Sequence, residues 1–168
     1  MQNSSSERKV FLDNYEESDR IHFSNLLSDP ETMKFTDGPK SSEAIEKLFS
    51  KFLNREHLPQ DLVFAARNEN NEYVGHAALF KSDVCNDNER EILFYILKSY
   101  WGKGYATEVG QQLLKMAFEC QSYEAVVATL DTDHFASIKV CEKIGMNQKK
   151  VSSDEFGSFL IFEVTKVI

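Results

Sequence analysis

Apolar positions along this chain change spacing several times, and each change marks an element. Val10 to Leu12 reads as a short first strand. Ile21, Leu26 and Leu27 fall roughly on one side of a helix spanning 18–27. The stretch 28–40 holds two prolines and the pair Asp37-Gly38, which predicts a loop with turns. Ser41 or Ser42 then caps a helix that carries Ile45, Leu48, Phe49 and Phe52 at helical spacing. Leu62 to Arg67 and Tyr73 to Phe80 read as strands joined by the polar turn Asn68-Glu69-Asn70-Asn71. A second polar turn, 82–90, leads into 91–97, a dense run of β-branched and aromatic residues. The expectation is three consecutive antiparallel strands.

The pattern changes after that run. Trp101-Gly102-Lys103-Gly104-Tyr105-Ala106 opens a helix reaching about Cys120, with Ala106, Val109, Leu113, Met116 and Ala117 on one stripe. Residues 124–130, largely Val and Ala, read as a buried strand. Asp133 or His134 is expected to cap a helix from about Phe135, with Ile138, Cys141 and Ile144 inward and Gly145 as its terminator. Two closing strands follow near 148–152 and 159–166. The order β-α-α-β-β-β-α-β-α-β-β is that of a mixed α/β sheet.

Length and composition narrow the classes. The 168 residues, 42% hydrophobic and 27% charged, suit one soluble globular domain covering 1–168. A net charge of −8 disfavours nucleic acid and anionic lipid as partners. No apolar run approaches the roughly 20 residues of a membrane helix, and the first residues lack a signal-peptide core. Cys85, Cys120 and Cys141 are odd in number and form no CxxC pair, so neither a disulfide framework nor a zinc site is expected. A reducing cytoplasm is the simplest location.

The segment with most chemistry is strand, then Gly-Lys-Gly, then helix. The first turn of a helix carries N–H groups without internal partners and the positive end of the helix dipole. Glycines let such a backbone approach a ligand closely. Together they suit a phosphate or diphosphate. A nucleotide P-loop does not fit, because its spacing to Gly-Lys-Ser/Thr is absent. A dinucleotide G-x-G-x-x-G does not fit either, since Thr107 stands at the third glycine.

Residues 92–108, Ile-Leu-Phe-Tyr-Ile-Leu-Lys-Ser-Tyr-Trp-Gly-Lys-Gly-Tyr-Ala-Thr-Glu, resemble the acetyl-CoA motif of the GCN5-related N-acetyltransferases. The family pattern is Gln/Arg-x-x-Gly-x-Gly/Ala; Gly104 and Ala106 match it, and Trp101 takes the Gln/Arg place. The block from Ser137 to Met146 is similar to the family's Asn-x-x-Ser…Glu-Lys-x-Gly-Phe helix. The likeness is greatest to the branch that acetylates ribosomal-protein N-termini. It implies a mostly antiparallel sheet of about six or seven strands flanked by about four helices. His134 replaces an Asn that helps hold the cofactor. Cys141 replaces a Tyr that many members use as general acid. Met146 replaces a Phe, and Leu93 a Gly frequent in that branch.

The resemblance implies direct attack of an amine on the thioester of acetyl-CoA, with no metal. It implies backbone pairing of the cofactor at Ile96 and Leu97. The diphosphate is expected on the loop made by Trp101, Gly102, Lys103, Gly104, Tyr105, Ala106 and Thr107, with His134 and Ser137 as further cofactor contacts. Glu91 is the candidate base, because it begins the strand leading to the loop. Tyr95 and Ser137 are the other candidate catalytic side chains. Lys139 and Lys143 are candidates for a distal phosphate. The acceptor end is expected around 35–39, and a protein N-terminus is the leading acceptor; polyamines and aminoglycosides stay open. An acyl-CoA-binding regulatory module without strong activity is the alternative, and either a monomer or a homodimer fits.

Overall fold

The structure, a computed structural model, describes residues 9–56 and 59–167. The run Ser4–Ser6, the expected absence of a leader before Lys9, and His57 lie outside the described residues.

Seven strands form one sheet: β1 Val10–Asp13, β2 Leu62–Asn68, β3 Tyr73–Phe80, β4 Glu89–Ile96, β5 Ala125–Asp131, β6 Asn147–Asp154 and β7 Gly157–Thr165. Their spatial order is β1-β2-β3-β4-β5-β7-β6. Neighbours are antiparallel throughout except β4 and β5, which run parallel. Four α-helices flank the sheet: α1 Arg20–Ser28, α2 Ser42–Leu53, α3 Tyr105–Lys115 and α4 Phe135–Lys143. The element order and the mixed sheet are those the hydrophobic pattern predicts.

The two sheet faces bury different cores. Helices α1 and α2 pack Phe23, Leu26, Ile45 and Phe49 onto Ala65 and Tyr73. Helices α3 and α4 pack Val109, Leu113, Cys141 and Ile144 onto Val74, Ile92, Val126 and Phe162. Phe23 and Phe49 are almost fully buried, each stabilising the fold by about 1.5–3 kcal/mol. Ser41 caps α2, its hydroxyl accepting from Ala44 N at 3.2 Å. Gly145, at φ 90°, ends α4 as expected.

Helix α1 is rotated relative to its predicted face. Ile21 is 65% exposed, and Phe23 takes the inward place. The cause lies one turn upstream, in the short 3₁₀ turn Glu17–Asp19. Asp19 is drawn inside, where its carboxylate meets the Arg67 guanidinium at 2.7 Å. Positions 19, 23, 26 and 27 therefore form the buried stripe.

Strand β4 begins at Glu89, two residues before its expected start at Glu91. Glu89, Arg90 and Glu91 are charged yet buried. They are inside because they make the parallel register with β5: Glu89 with Ala125, Arg90 with Val126, Glu91 with Val127. Most of their polar atoms are met locally, although Arg90 Nε is buried without a hydrogen-bond partner among the described residues. Arg90 donates to the carbonyls of Asp87 and Glu89 and lies 4.2 Å above the Tyr123 ring. Glu91 accepts from the Thr129 hydroxyl on β5.

Only those three pairs join β4 to β5. Beyond them β4 stays paired to β3 as far as Ile96, and β5 to β7 as far as Asp131. The edges that face each other across residues 92–96 and 128–131 have no strand partner there, so the sheet opens into a wedge. Gly75 helps set this shape: a Cβ there would fall 2.1 Å from the Tyr95 carbonyl oxygen, so only glycine lets β3 lie against β4 at that point.

Candidate functional site

The wedge opens at the carboxyl ends of two parallel strands, the place where open α/β sheets take ligands. Leu97 N–H donates to Val74 O at 2.9 Å, toward β3. In an antiparallel ladder alternate residues point their backbone groups to opposite sides. The backbone groups of Phe94 and Ile96 therefore face the wedge. The Ile96 carbonyl accepts from Trp101 Nε1 at 2.7 Å.

A 3₁₀ turn, Lys98–Tyr100, leads from the strand to the loop. Gly102 and Gly104 sit at φ 72° and 87°, backbone that L side chains avoid. Gly104 is the N-cap of α3 and offers no side chain to it. The first bond inside α3 runs from Glu108 N to Gly104 O, so the N–H groups of Tyr105, Ala106 and Thr107 are without internal partners. Those of Gly102, Lys103 and Gly104 have no protein acceptor among the described residues. Glu108, the acid in this first turn, is turned away. Its Oε1 accepts from Lys9 N and Val10 N at 2.9 and 3.0 Å, tying β1 to α3. The loop thus presents a row of free amides at the positive end of a helix.

A cleft of about 540 Å³ joins the loop to the wedge. Strand β4 lines it with Phe94, Tyr95 and Ile96. The loop and α3 contribute Trp101, Gly102, Gly104, Tyr105, Ala106 and Thr107. Helix α4 contributes His134 and Ser137 at its start, and Val140 and Lys143 further along. Glu31, Thr32 and Phe35 close the far side. A second hollow of about 430 Å³, between α1 and α2, contains none of the motif residues.

Among the candidate catalytic side chains, Tyr95 and Ser137 share the cleft and Glu91 does not line it. Burial holds the Tyr95 phenol up at about 12, with the Asp37 and Glu91 carboxylates adding to the shift, so it stays a proton donor. Ser137 Oγ lies 3.0 Å from His134 Nε2. The His134 ring stacks on Phe35, with centroids 4.2 Å apart and planes at 18°. Burial lowers its pKa, partly offset by the Asp131 carboxylate. Glu91 lies at the root of the wedge, bonded to Thr129.

Leu97 and Lys103 also lie off the cleft wall. Leu97 packs toward the α1–α2 core. Lys103 is exposed, its Nζ 5.3 Å over the Tyr100 ring. His134 stands at the N-cap of α4, as expected, but neither it nor Asp133 caps the helix with its side chain. Asp131 instead accepts from Asp133 N at 2.8 Å, and His134 turns to Ser137. Of the two lysines on α4, Lys143 reaches the cleft and Lys139 does not line it. Cys141 is buried in the core, its thiol pushed up to about 12 by burial.

Sequence reasoning does not find the His134–Ser137–Phe35 cluster. The three-residue spacing of His134 and Ser137, which makes helix neighbours, is its one available signal. Nor does it find the buried polar group beneath Tyr95. There Tyr15 Oη lies 2.6 Å from His76 Nδ1 and 3.3 Å from Tyr73 Oη.

The acetyltransferase (GNAT) domain family matches residues 9–147, and the chain belongs to that family. By class it is an N-acetyltransferase, and the family's fold binds acetyl-CoA or CoA. Among curated proteins it is similar to the uncharacterized protein YkkB of Bacillus subtilis, 27% identical over 129 residues, spanning 76% of this chain and 75% of YkkB. The uncharacterized N-acetyltransferase YnaD of the same organism is 25% identical over 145 residues, spanning 84% of this chain and 81% of YnaD. A GNAT-family acetyltransferase from Bacillus anthracis superposes with a TM-score of 0.81 at 22% identity, covering 94% of this chain and 95% of its own. Spermidine N-acetyltransferase from Vibrio cholerae, in complex with CoA and spermine, gives 0.81 at 15% identity with the same coverage. These two likenesses concern the fold. Among the described residues no group of three His, Cys, Asp or Glu side chains could hold a metal ion, and no helix is long and apolar enough to cross a membrane.

Proposed function

We propose that the cleft binds acetyl-CoA and passes its acetyl group to a primary amine by direct attack on the thioester. The observation that carries this reading is the row of free amides at 102–107, standing at the mouth of a wedge whose strand edges are also free. A diphosphate matches the first, with charge-assisted bonds of about 1.5–3 kcal/mol each. An extended chain of amides matches the second.

In this reading the amides of Gly102 to Thr107 hold the diphosphate. Phe94 and Ile96 pair with the pantetheine arm; Leu97 is replaced in that role, because its N–H already serves Val74. The bound thioester supplies an activated acyl carbon. Phe94 or Ile96 N–H polarises its carbonyl. Glu91 accepts the proton of the attacking amine, relayed by water to the wedge root. Ser137 donates its hydroxyl proton to the departing sulfur and recovers one from solvent through His134. Tyr95, held protonated, is a second donor facing the same space.

A protein N-terminus is the leading acceptor, on the motif's likeness to the ribosomal-protein branch. A polyamine is the second reading, favoured by the Glu31 carboxylate on the cleft wall and by the spermidine enzyme of like fold. The protein is proposed to act in the cytoplasm as a monomer or homodimer.

Calorimetric titration with acetyl-CoA tests the reading, and no binding at millimolar cofactor overturns it. A thiol-release assay against N-terminal peptides, spermidine and aminoglycosides then orders the acceptors. Binding without turnover on any of them identifies the regulatory module instead.

A further inference from the structure

Trp101 is the chain's one tryptophan. The residue is 46% exposed, yet its indole N–H is directed at the Ile96 carbonyl, 2.7 Å away and five residues back. That carbonyl faces the wedge and lacks a strand partner, so without the indole it would be an unpaired acceptor at the strand end. The bond closes the end of β4, the 3₁₀ turn 98–100 and the start of the loop into one ring. Gly102 follows directly, and Gly104 two residues later. Both are left-handed, and no atom lies within 4 Å of where a Cβ on either would stand. Glycines lose more conformational freedom on ordering than any other residue. A loop built on two of them aims its amides reproducibly only if its entry is fixed.

We infer that Trp101 is a positioning residue: by donating to the Ile96 carbonyl, its indole N–H holds the 102–107 amides in place for a diphosphate before the ligand arrives. This inference rests on the proposed reading of the loop as a diphosphate site. Losing the tie leaves the ordering of the loop to be supplied at binding, which weakens affinity. The loss falls on ligands that carry the diphosphate. A ligand that uses only the wedge feels it less.

The test compares wild type, Trp101→Phe and Trp101→Gln by calorimetric titration with CoA. Alongside it, kcat/KM is measured with acetyl-CoA and with S-acetylpantetheine, which lacks the diphosphate. Trp101→Phe keeps an aromatic ring and removes the N–H; its CoA affinity should fall about tenfold. Trp101→Gln restores a donor and should return to within about threefold of wild type. Across the three, kcat/KM with S-acetylpantetheine should change far less than CoA affinity. Thermal melting without ligand confirms that each variant is folded. Equal CoA affinity in Trp101→Phe and wild type overturns the inference, as does an equal loss in both variants. A parallel loss with S-acetylpantetheine overturns it too, because the indole would then be serving the wedge. Failure of wild type to bind CoA is a different result, and it removes the reading of the loop itself.

Discussion

His134 is held from two directions: its ring stacks on Phe35 at 4.2 Å, and its Nε2 lies 3.0 Å from Ser137 Oγ. The stack fixes the plane of the imidazole and the hydrogen bond fixes its rotation within that plane. Ser137 thereby has one preferred partner inside the cleft. Replacing Ser137 with Ala should lower kcat by about 100-fold and leave CoA affinity within about threefold. Steady-state kinetics with calorimetry checks both parts; loss of affinity with kcat intact would move Ser137 from acid to cofactor holder.

The same pair sets an expectation for pH. Burial lowers the His134 pKa from 6.5. The imidazole therefore stays neutral as pH falls through 6.5 and protonates only below it. Any limb of the kcat profile that belongs to His134 should lie on the acid side of 6.5. A His134-dependent limb at or above that value, absent in His134→Gln, contradicts the assignment.

At Gly104 two substitutions separate backbone from charge. A Cβ there meets nothing within 4 Å, but φ is 87°. Gly104→Ala should fold, with a strain of about 1–2 kcal/mol. Gly104→Asp carries a similar backbone strain, since its φ would also be left-handed. It also places a negative charge where the diphosphate is proposed to sit. CoA affinity should fall about 100-fold or more in the Asp variant and far less in the Ala variant. Retained affinity in folded Gly104→Asp would falsify the placement of the diphosphate.

Gly75 and Gly110 should behave oppositely. At Gly75 an added Cβ meets the Tyr95 carbonyl oxygen at 2.1 Å, backbone that cannot step aside without parting β3 from β4. Gly75→Ala should destabilise by about 3 kcal/mol. At Gly110 the nearest atom is the Ile144 Cδ1 methyl at 2.8 Å, the free end of a side chain. There a helix-propensity gain of about 1 kcal/mol opposes the crowding, and Gly110→Ala should be near neutral. Urea denaturation of the two variants decides between these outcomes.

Stability should also depend on His76. Burial lowers its pKa to about 4, from 6.5. Between those values the unfolded chain binds the proton and the folded chain does not. The stabilising difference is therefore complete above pH 6.5 and is lost as pH falls toward 4. The loss amounts to at most about 3 kcal/mol. Unfolding free energies at pH 7 and pH 5 should differ more in wild type than in His76→Gln; equal differences would show that His76 is not the source.

Much of the architecture is legible in the sequence because it depends on periodicity. The stripe of α3, the hairpin at 68–71 and the capping by Ser41 each follow from local spacing. The rotation of α1 does not, because Asp19 is inside only by virtue of Arg67, 48 residues away. The true start of β4 is hidden for a related reason. Glu89 and Arg90 read as the end of a polar turn, and only a parallel neighbour more than 30 residues later makes them interior. In the cleft, Gly102 and Gly104 announce themselves through residue type. Phe35 cannot, since its stack on His134 is made across the fold. Leu97 looks equivalent to Ile96 by position, and the alternation of the ladder separates them.

Three rungs between β4 and β5 leave the sheet as two leaves sharing a short spine. On the proposed reading the acyl group lies between those leaves, and the hydrogen bond from Thr129 to Glu91 sits at the spine where they join. A substitution at that spine should change the gap between the leaves while leaving the amides at 102–107 in place.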